Sequence, residues 1–290
     1  MKNSVKSINS GALLIVMLLL FIINPVICYI GAKSGLNLWF NTILPTLLPF
    51  MIISNMIVNV YSNGFKNPFL YIIFVGVFCG YPMAAHTASQ MYEKNIITKE
   101  EAEILSGICN NSSLAFVINY IIITTLDCRS MLIPILIIIY LPVFIMLFAQ
   151  CRKFSRHKNI MYTENAFTFE IVDNAVMNGF QSILKLGGYI MMFSIFASFI
   201  WTLNISPVAK SLLTGITEIT SGISFIAAAD IPASLKTVLI LTINSFGGLS
   251  CLFQTKSMIH PDLSIKKYIY YKLLQSALTM ITATAVIYVL

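Results

Sequence analysis

Apolar runs of about 20 residues recur along the whole chain, the length a helix needs to cross a hydrocarbon layer. They fall at 11–30, 36–60, 69–90, 104–126, 131–150, 179–201, 212–229, 234–258 and 268–290. The third run changes character midway. Positions 69–77 are purely apolar; Gly80 and Pro82 then break helical regularity, and His86, Thr87, Ser89 and Gln90 turn the pattern polar. The eighth run repeats this, with Phe246-Gly247-Gly248 followed by Gln254-Thr255-Lys256-Ser257. A shift of 168 pairs Phe78 with Phe246, Gly80 with Gly248, Thr87 with Thr255 and Ser89 with Ser257, and sets His86 on Gln254. A shift of 140 pairs the second run with the sixth, Phe40 with Phe180, Ile43 with Ile183, Leu44 with Leu184 and Met51 with Met191. Two offsets imply about 28 extra residues in the second half, mostly at 203–232.

Local signals place the ends. Gly31 to Gly35 reads as a turn between the first two helices. Thr98 with Glu101 is a capping box, so a helix begins near Lys99 and is interrupted by Asn110-Asn111-Ser112-Ser113. Pro45 and Pro49 free backbone groups in the second run, which together with Asn55 and Asn59 must face an interior. Residues 163–178 read as an amphipathic lead-in at the interface.

Composition agrees with a lipid environment. The chain is 58% hydrophobic and 10% charged, against about 25% charged in soluble domains. The net charge of +7 sits in short loops between apolar runs, the positive-inside bias rather than a nucleic-acid surface. The six cysteines form no CxxC pair and read as packing residues, so neither a metal nor another cofactor is expected. Met1 to Ser10, with Lys2 and Lys6, leads into a run without an evident cleavage site, and reads as a retained first helix.

The expected fold is an all-α, polytopic membrane helix bundle with inverted repeats and two re-entrant hairpins. Its parts are an N-terminal helix (1–35), a first repeat (36–150), a basic cytoplasmic loop with the lead-in (151–178), and a second repeat with a final helix (179–290). Re-entry at 69–90 puts Lys94, Lys99 and the Arg152–Lys158 loop inside; re-entry at 234–258 adds Lys256, Lys266 and Lys267. Both hairpins then enter from the cytoplasm, whereas strict inversion puts them on opposite faces. Either one of them spans, or 212–229 is itself re-entrant.

The candidate pathway residues are Gly80, Tyr81, Pro82, His86, Asn110, Asn111, Ser112, Glu218, Gly247, Gly248 and Gln254. Glu218 is a carboxylate in the middle of an apolar run, where a charge costs ~2.5–3.5 kcal/mol on insertion scales. It reads as a coupling or solute-binding group, or else as a neutral side chain tying two helices. Asn110 to Ser113 line a cavity or hold a desolvated cation with carbonyl oxygens, or else bond neighbouring helices. The glycines give tight backbone turns or close packing. His86, without a second ligand at metal spacing, reads as a packing residue before a proton carrier. No catalytic constellation is present, so an enzyme is not expected.

At these residues the chain resembles the sporulation integral membrane protein YlbJ family, over about Gly35 to Met258. The Leu-Pro-x-Leu-Leu-Pro-Phe run at 44–50 and Gly80-Tyr81-Pro82-Met83-Ala84 carry most of the likeness. His86 stands where a lysine is expected. The resemblance implies a Gate domain, shared with concentrative nucleoside transporters and the membrane part of the FeoB ferrous-iron transporter. It implies a multi-pass protein of the cytoplasmic cell membrane, acting in spore maturation. The expectation is a transporter or channel-like protein for an unidentified small solute, nucleoside or cation in class. The alternative is a non-transporting scaffold for sporulation partners, working through the 92–103 linker or the basic loop. Expected partners are the lipid bilayer, the solute, and a second copy or other sporulation membrane proteins; nucleic acid is not among them.

Overall fold

The computed structural model describes residues 15–60, 67–154 and 167–288. The N-terminal basic segment, Lys66, most of the basic loop and the start of the lead-in (163–166) lie outside them. All regular structure among the described residues is helical, as expected, since in lipid a helix satisfies its own backbone.

Two long helices form the frame. The short α1 (Ile15–Ile23) meets the next helix at a 100° bend, where Pro25 has no N–H to continue the ladder. From there α2 (Pro25–Leu38) passes through a π-turn (Trp39–Ile43) into α3 (Leu44–Val60). Pro45, which has no backbone N–H to donate, lies two residues beyond this wider turn. The partner frame helix is α8 (Phe169–Ile200), 32 residues long. Two sequence expectations are corrected here. Gly31 to Gly35 is helix, not turn: a β-carbon on Gly31 would lie 2.6 Å from the Ile195 Cα, and one on Gly35 2.8 Å from the Met191 Cα. Their spacing is that of a close-packing glycine face. The described end of the 163–178 lead-in belongs to α8, which Thr168 caps by accepting from the Ile171 N–H at 3.4 Å.

After each frame helix the chain folds back in a helical hairpin. The first pairs α4 (Pro68–Phe78) with α5 (Met83–Glu93) across a tip at 79–82, as predicted. Gly80 sits there at φ +81°, with room for a hydrogen and no more: a β-carbon would lie 2.7 Å from the Ser113 amide nitrogen. The second pairs α9 (Pro207–Thr217) with α10 (Ile219–Ala228) across Glu218. Its arms close because Gly222 packs directly on Gly215.

A broken helix follows each hairpin. α6 (Lys99–Cys109), opened by the predicted capping box, unwinds at 110–113 and resumes as a π-helix, Phe116–Thr125. α11 (Ala233–Phe246) is interrupted at Gly247, φ +85°, and resumes as α12 (Gly248–Met258). The expected re-entrant hairpin at 234–258 is therefore a broken crossing: this stretch of 26 residues is long and apolar enough to span. One left-handed glycine interrupts a ladder without reversing the chain. Re-entry in the second half belongs to 212–229, the alternative left open by the sequence. Each half closes with a further helix, α7 (Leu132–Gln150) or α13 (Ile265–Ile287).

The order of frame helix, hairpin, broken helix and closing helix thus occurs twice. Gly76 corresponds to Gly215, Gly80 to Glu218, Ala84 to Gly222 and Ser113 to Gly248, at offsets between 135 and 139. These sit beside the 140 of the frame helices and replace the 168 read between glycine motifs.

Candidate functional site

Both hairpin tips, the break after α6 and one face of α12 converge on a cavity of about 400 Å³. One wall is apolar, made of Leu38, Ile43, Leu47, Leu186 and Ile190 from the frame helices. The polar wall comes from the irregular backbone: Gly80 and Tyr81 of the first tip, Ser112, Ser113 and Asn119 of the first broken helix, Glu218 and Thr220 of the second tip, and Gln254 of α12. Non-helical backbone at such depth survives only beside protein or a hydrated space.

Glu218 is 3% exposed. One carboxylate oxygen accepts from the Thr220 N–H at 3.0 Å and the other from the Ser221 N–H at 2.7 Å. The side chain therefore caps α10, and the positive end of that helix offsets its burial. It does not tie two helices, the alternative considered from sequence. The neighbouring link between halves is made by Tyr120, whose hydroxyl donates to the Thr220 carbonyl at 2.9 Å.

The four polar residues of the first break point to different partners. Asn110 donates to the Thr255 hydroxyl at 3.0 Å, and Ser112 to the Asn244 side-chain oxygen at 2.7 Å. Both bonds join the two broken helices. The Asn111 side-chain oxygen accepts from the Lys272 ammonium and from the Gln275 amide, each at 2.7 Å, while its own amide donates to the Ile108 carbonyl at 2.9 Å. Of the cation-holding oxygens expected here, the one on Asn111 is thus already engaged by a lysine. Ser112 is on the cavity wall; Asn110 and Asn111 are buried behind it.

The remaining predicted residues divide in the same way. Gly247 lets Tyr81 approach: a β-carbon there would lie 2.7 Å from the tyrosine hydroxyl. Gly248, at φ +74°, faces the Gly215 carbonyl of the second hairpin. Gln254 lines the cavity and donates to the Ser250 hydroxyl at 2.8 Å. Pro82 caps α5 behind the first tip. His86 sits away from the cavity, its Nδ1 3.2 Å from the Met258 carbonyl, a contact between α5 and α12 that suits the packing reading.

Lys272 and Gln275 were missed. A basic residue within a span is a strong signal, but Lys272 follows Lys266 and Lys267 and reads with them as the flank of the last run.

The fold and site together define an all-α integral membrane protein with a cavity between paired hairpin tips, a helix break and α12. The chain is similar to the sporulation integral membrane protein YlbJ of Bacillus subtilis (strain 168), being 23% identical over 308 residues that cover 87% of this chain and 76% of that one. The similarity bears out the family resemblance read from the sequence. No family model and no solved structure matches.

Proposed function

We propose that this chain is a multi-pass carrier of the cytoplasmic membrane that moves a small organic solute of nucleoside size, and that it acts in spore formation. The observation that carries the reading is the cavity of about 400 Å³ bounded by both hairpin tips, the break after α6 and α12. Its volume is in the range of small-molecule sites, ~300–1,000 Å³, and larger than a bare ion requires. An apolar wall facing a few fixed donors and acceptors suits a flat ring bearing hydroxyls. Broken helices and re-entrant hairpins in repeated halves are how many carriers build a midplane site, and rocking of one half against the other alternates access. The likeness to a sporulation membrane protein supports the cellular role.

Purified protein in liposomes is expected to take up labelled uridine, and Glu218→Gln to abolish uptake without unfolding the protein. Wild-type liposomes that accumulate no labelled nucleoside would overturn the nucleoside reading. A scaffold makes the opposite prediction in cells: alanine changes in the 92–103 linker, and not Glu218→Gln, would impair sporulation.

A further inference from the structure

Lys272, in α13, is 1% exposed. Its ammonium donates to the Asn111 side-chain oxygen at 2.7 Å and to the Gln275 side-chain oxygen at 2.9 Å. The Tyr81 ring lies 5.2 Å from the ammonium and the Tyr268 ring 6.0 Å, near enough for both faces to attract a cation. Among the described residues no carboxylate pairs with it. The ammonium is thus held by neutral oxygens and π-faces beside the C-terminal end of α6, where the helix dipole is negative. Carriers coordinate sodium with unwound backbone carbonyls and half-helix C-terminal ends, and the side-chain oxygen of Asn111 stands just past such an end.

We propose that Lys272 is a tethered cation: its ammonium fills the position that the break after α6 provides for a monovalent ion, so the site needs neither sodium nor potassium. A side chain four methylenes long delivers the charge from α13, and Gln275, one turn on, completes the cage. The same Asn111 oxygen accepts from both, so the cluster fixes the break after α6 to α13 in one geometry. A free cation entering here would lose its oxygen ligand to a charge of like sign that cannot leave. The consequence for solute movement rests on the carrier reading above; the occupancy of the cation position does not.

The test therefore begins with binding. Melting temperatures of the purified protein are compared in sodium, potassium, methylammonium and choline chlorides at equal ionic strength. Wild type is expected to melt at the same temperature in all four. Lys272→Ala empties the cage, melts lower in choline, and recovers by about 3 °C or more with the small cations, through their binding to the folded state alone. Sodium- or potassium-specific stabilisation of wild type overturns the proposal. So does a folded Lys272→Ala protein that responds alike to all four salts. Should that variant fail to fold, equilibrium dialysis of wild type with radioactive sodium decides: no saturable binding is expected, and one saturable ion per chain overturns the proposal. If uridine uptake is observed, its rate should be unchanged when choline replaces sodium. Sodium-dependent uptake would remove this inference and leave the carrier reading standing, whereas absent uptake would leave the melting result untouched.

Discussion

Two glycines on different elements separate packing from conformational freedom. Gly222 meets the Gly215 backbone, while Gly188, within α8, has no neighbour within 4 Å of where its β-carbon would be. Gly222→Ala should force the second hairpin apart and cost about 1–3 kcal/mol, the usual range for overpacking. Gly188→Ala should be neutral or stabilise by up to ~1 kcal/mol, since alanine loses less backbone freedom in a helix. Thermal unfolding in detergent checks both. Glu218 is a second residue-scale test. A glutamine there keeps one acceptor oxygen and puts an amino group in place of the other, so either the Thr220 or the Ser221 N–H loses its partner. The loss should be about 1–3 kcal/mol, as for a buried donor left unsatisfied, and visible as a lower melting temperature. Glu218 was legible in the sequence because it stands alone in an apolar run. Lys272 was hidden by its neighbours, and which oxygens its ammonium meets depends on how α13 packs on α6, a contact between segments about 160 residues apart.

At the scale of elements, helix breaks and hairpins look alike in one dimension. Gly80 with Pro82, and Gly247 with Gly248, both interrupt an apolar run; only the first lets its two arms pack on each other. The second re-entry has no proline at its tip and turns on Glu218, with Gly215 and Gly222 face to face. That pair becomes meaningful only once the arms are known to be antiparallel. By contrast, the capping box at Thr98, the break at 110–113 and the inward side of the first frame helix were legible, because local chemistry decides them. The inward side shows in a short ladder: Gln90 donates to the Asn55 side-chain oxygen at 2.6 Å and Lys94 to that of Asn59 at 2.7 Å. Contacts of this kind contribute about 0.6 kcal/mol each within a membrane. The frame itself rests on shape. Gly35→Leu should separate α2 from α8 and lower the melting temperature by several degrees, whereas removing the Asn55 amide should have a much smaller effect. Circular dichroism at rising temperature would rank the two.

For the molecule as a whole, the corrected elements change the topology. With one hairpin per half and broken helices that cross, each half crosses an odd number of times, and the second half runs opposite to the first. One end of the bundle then carries Lys94, Lys99, Arg152, Lys256, Lys266 and Lys267, and the other Arg129, Lys210 and Lys236. Contacts support this grouping of the first end. Phe69 packs on Phe154 at 4.8 Å, Glu103 pairs with Lys267 and accepts from the Ser264 N–H at 2.9 Å, and the His260 N–H donates to Ser89 at 2.7 Å. At the other end Trp201 packs on Phe225 at 4.0 Å, and Lys236 donates to the Ala227 carbonyl at 2.8 Å. On the positive-inside rule the excess of basic residues predicts a cytoplasmic first end. The two hairpins then enter from opposite faces, which removes the conflict that re-entry at 234–258 created. With the native cysteines replaced, Asn95→Cys should react with a membrane-impermeant maleimide only in inverted vesicles, and Asp230→Cys only in intact cells. Both side chains are exposed, so accessibility alone does not bias the comparison. Labelling of both from one side would mean that the second hairpin enters where the first does. A site between opposed tips could not then open alternately to the two faces, and the carrier mechanism would fall with the topology.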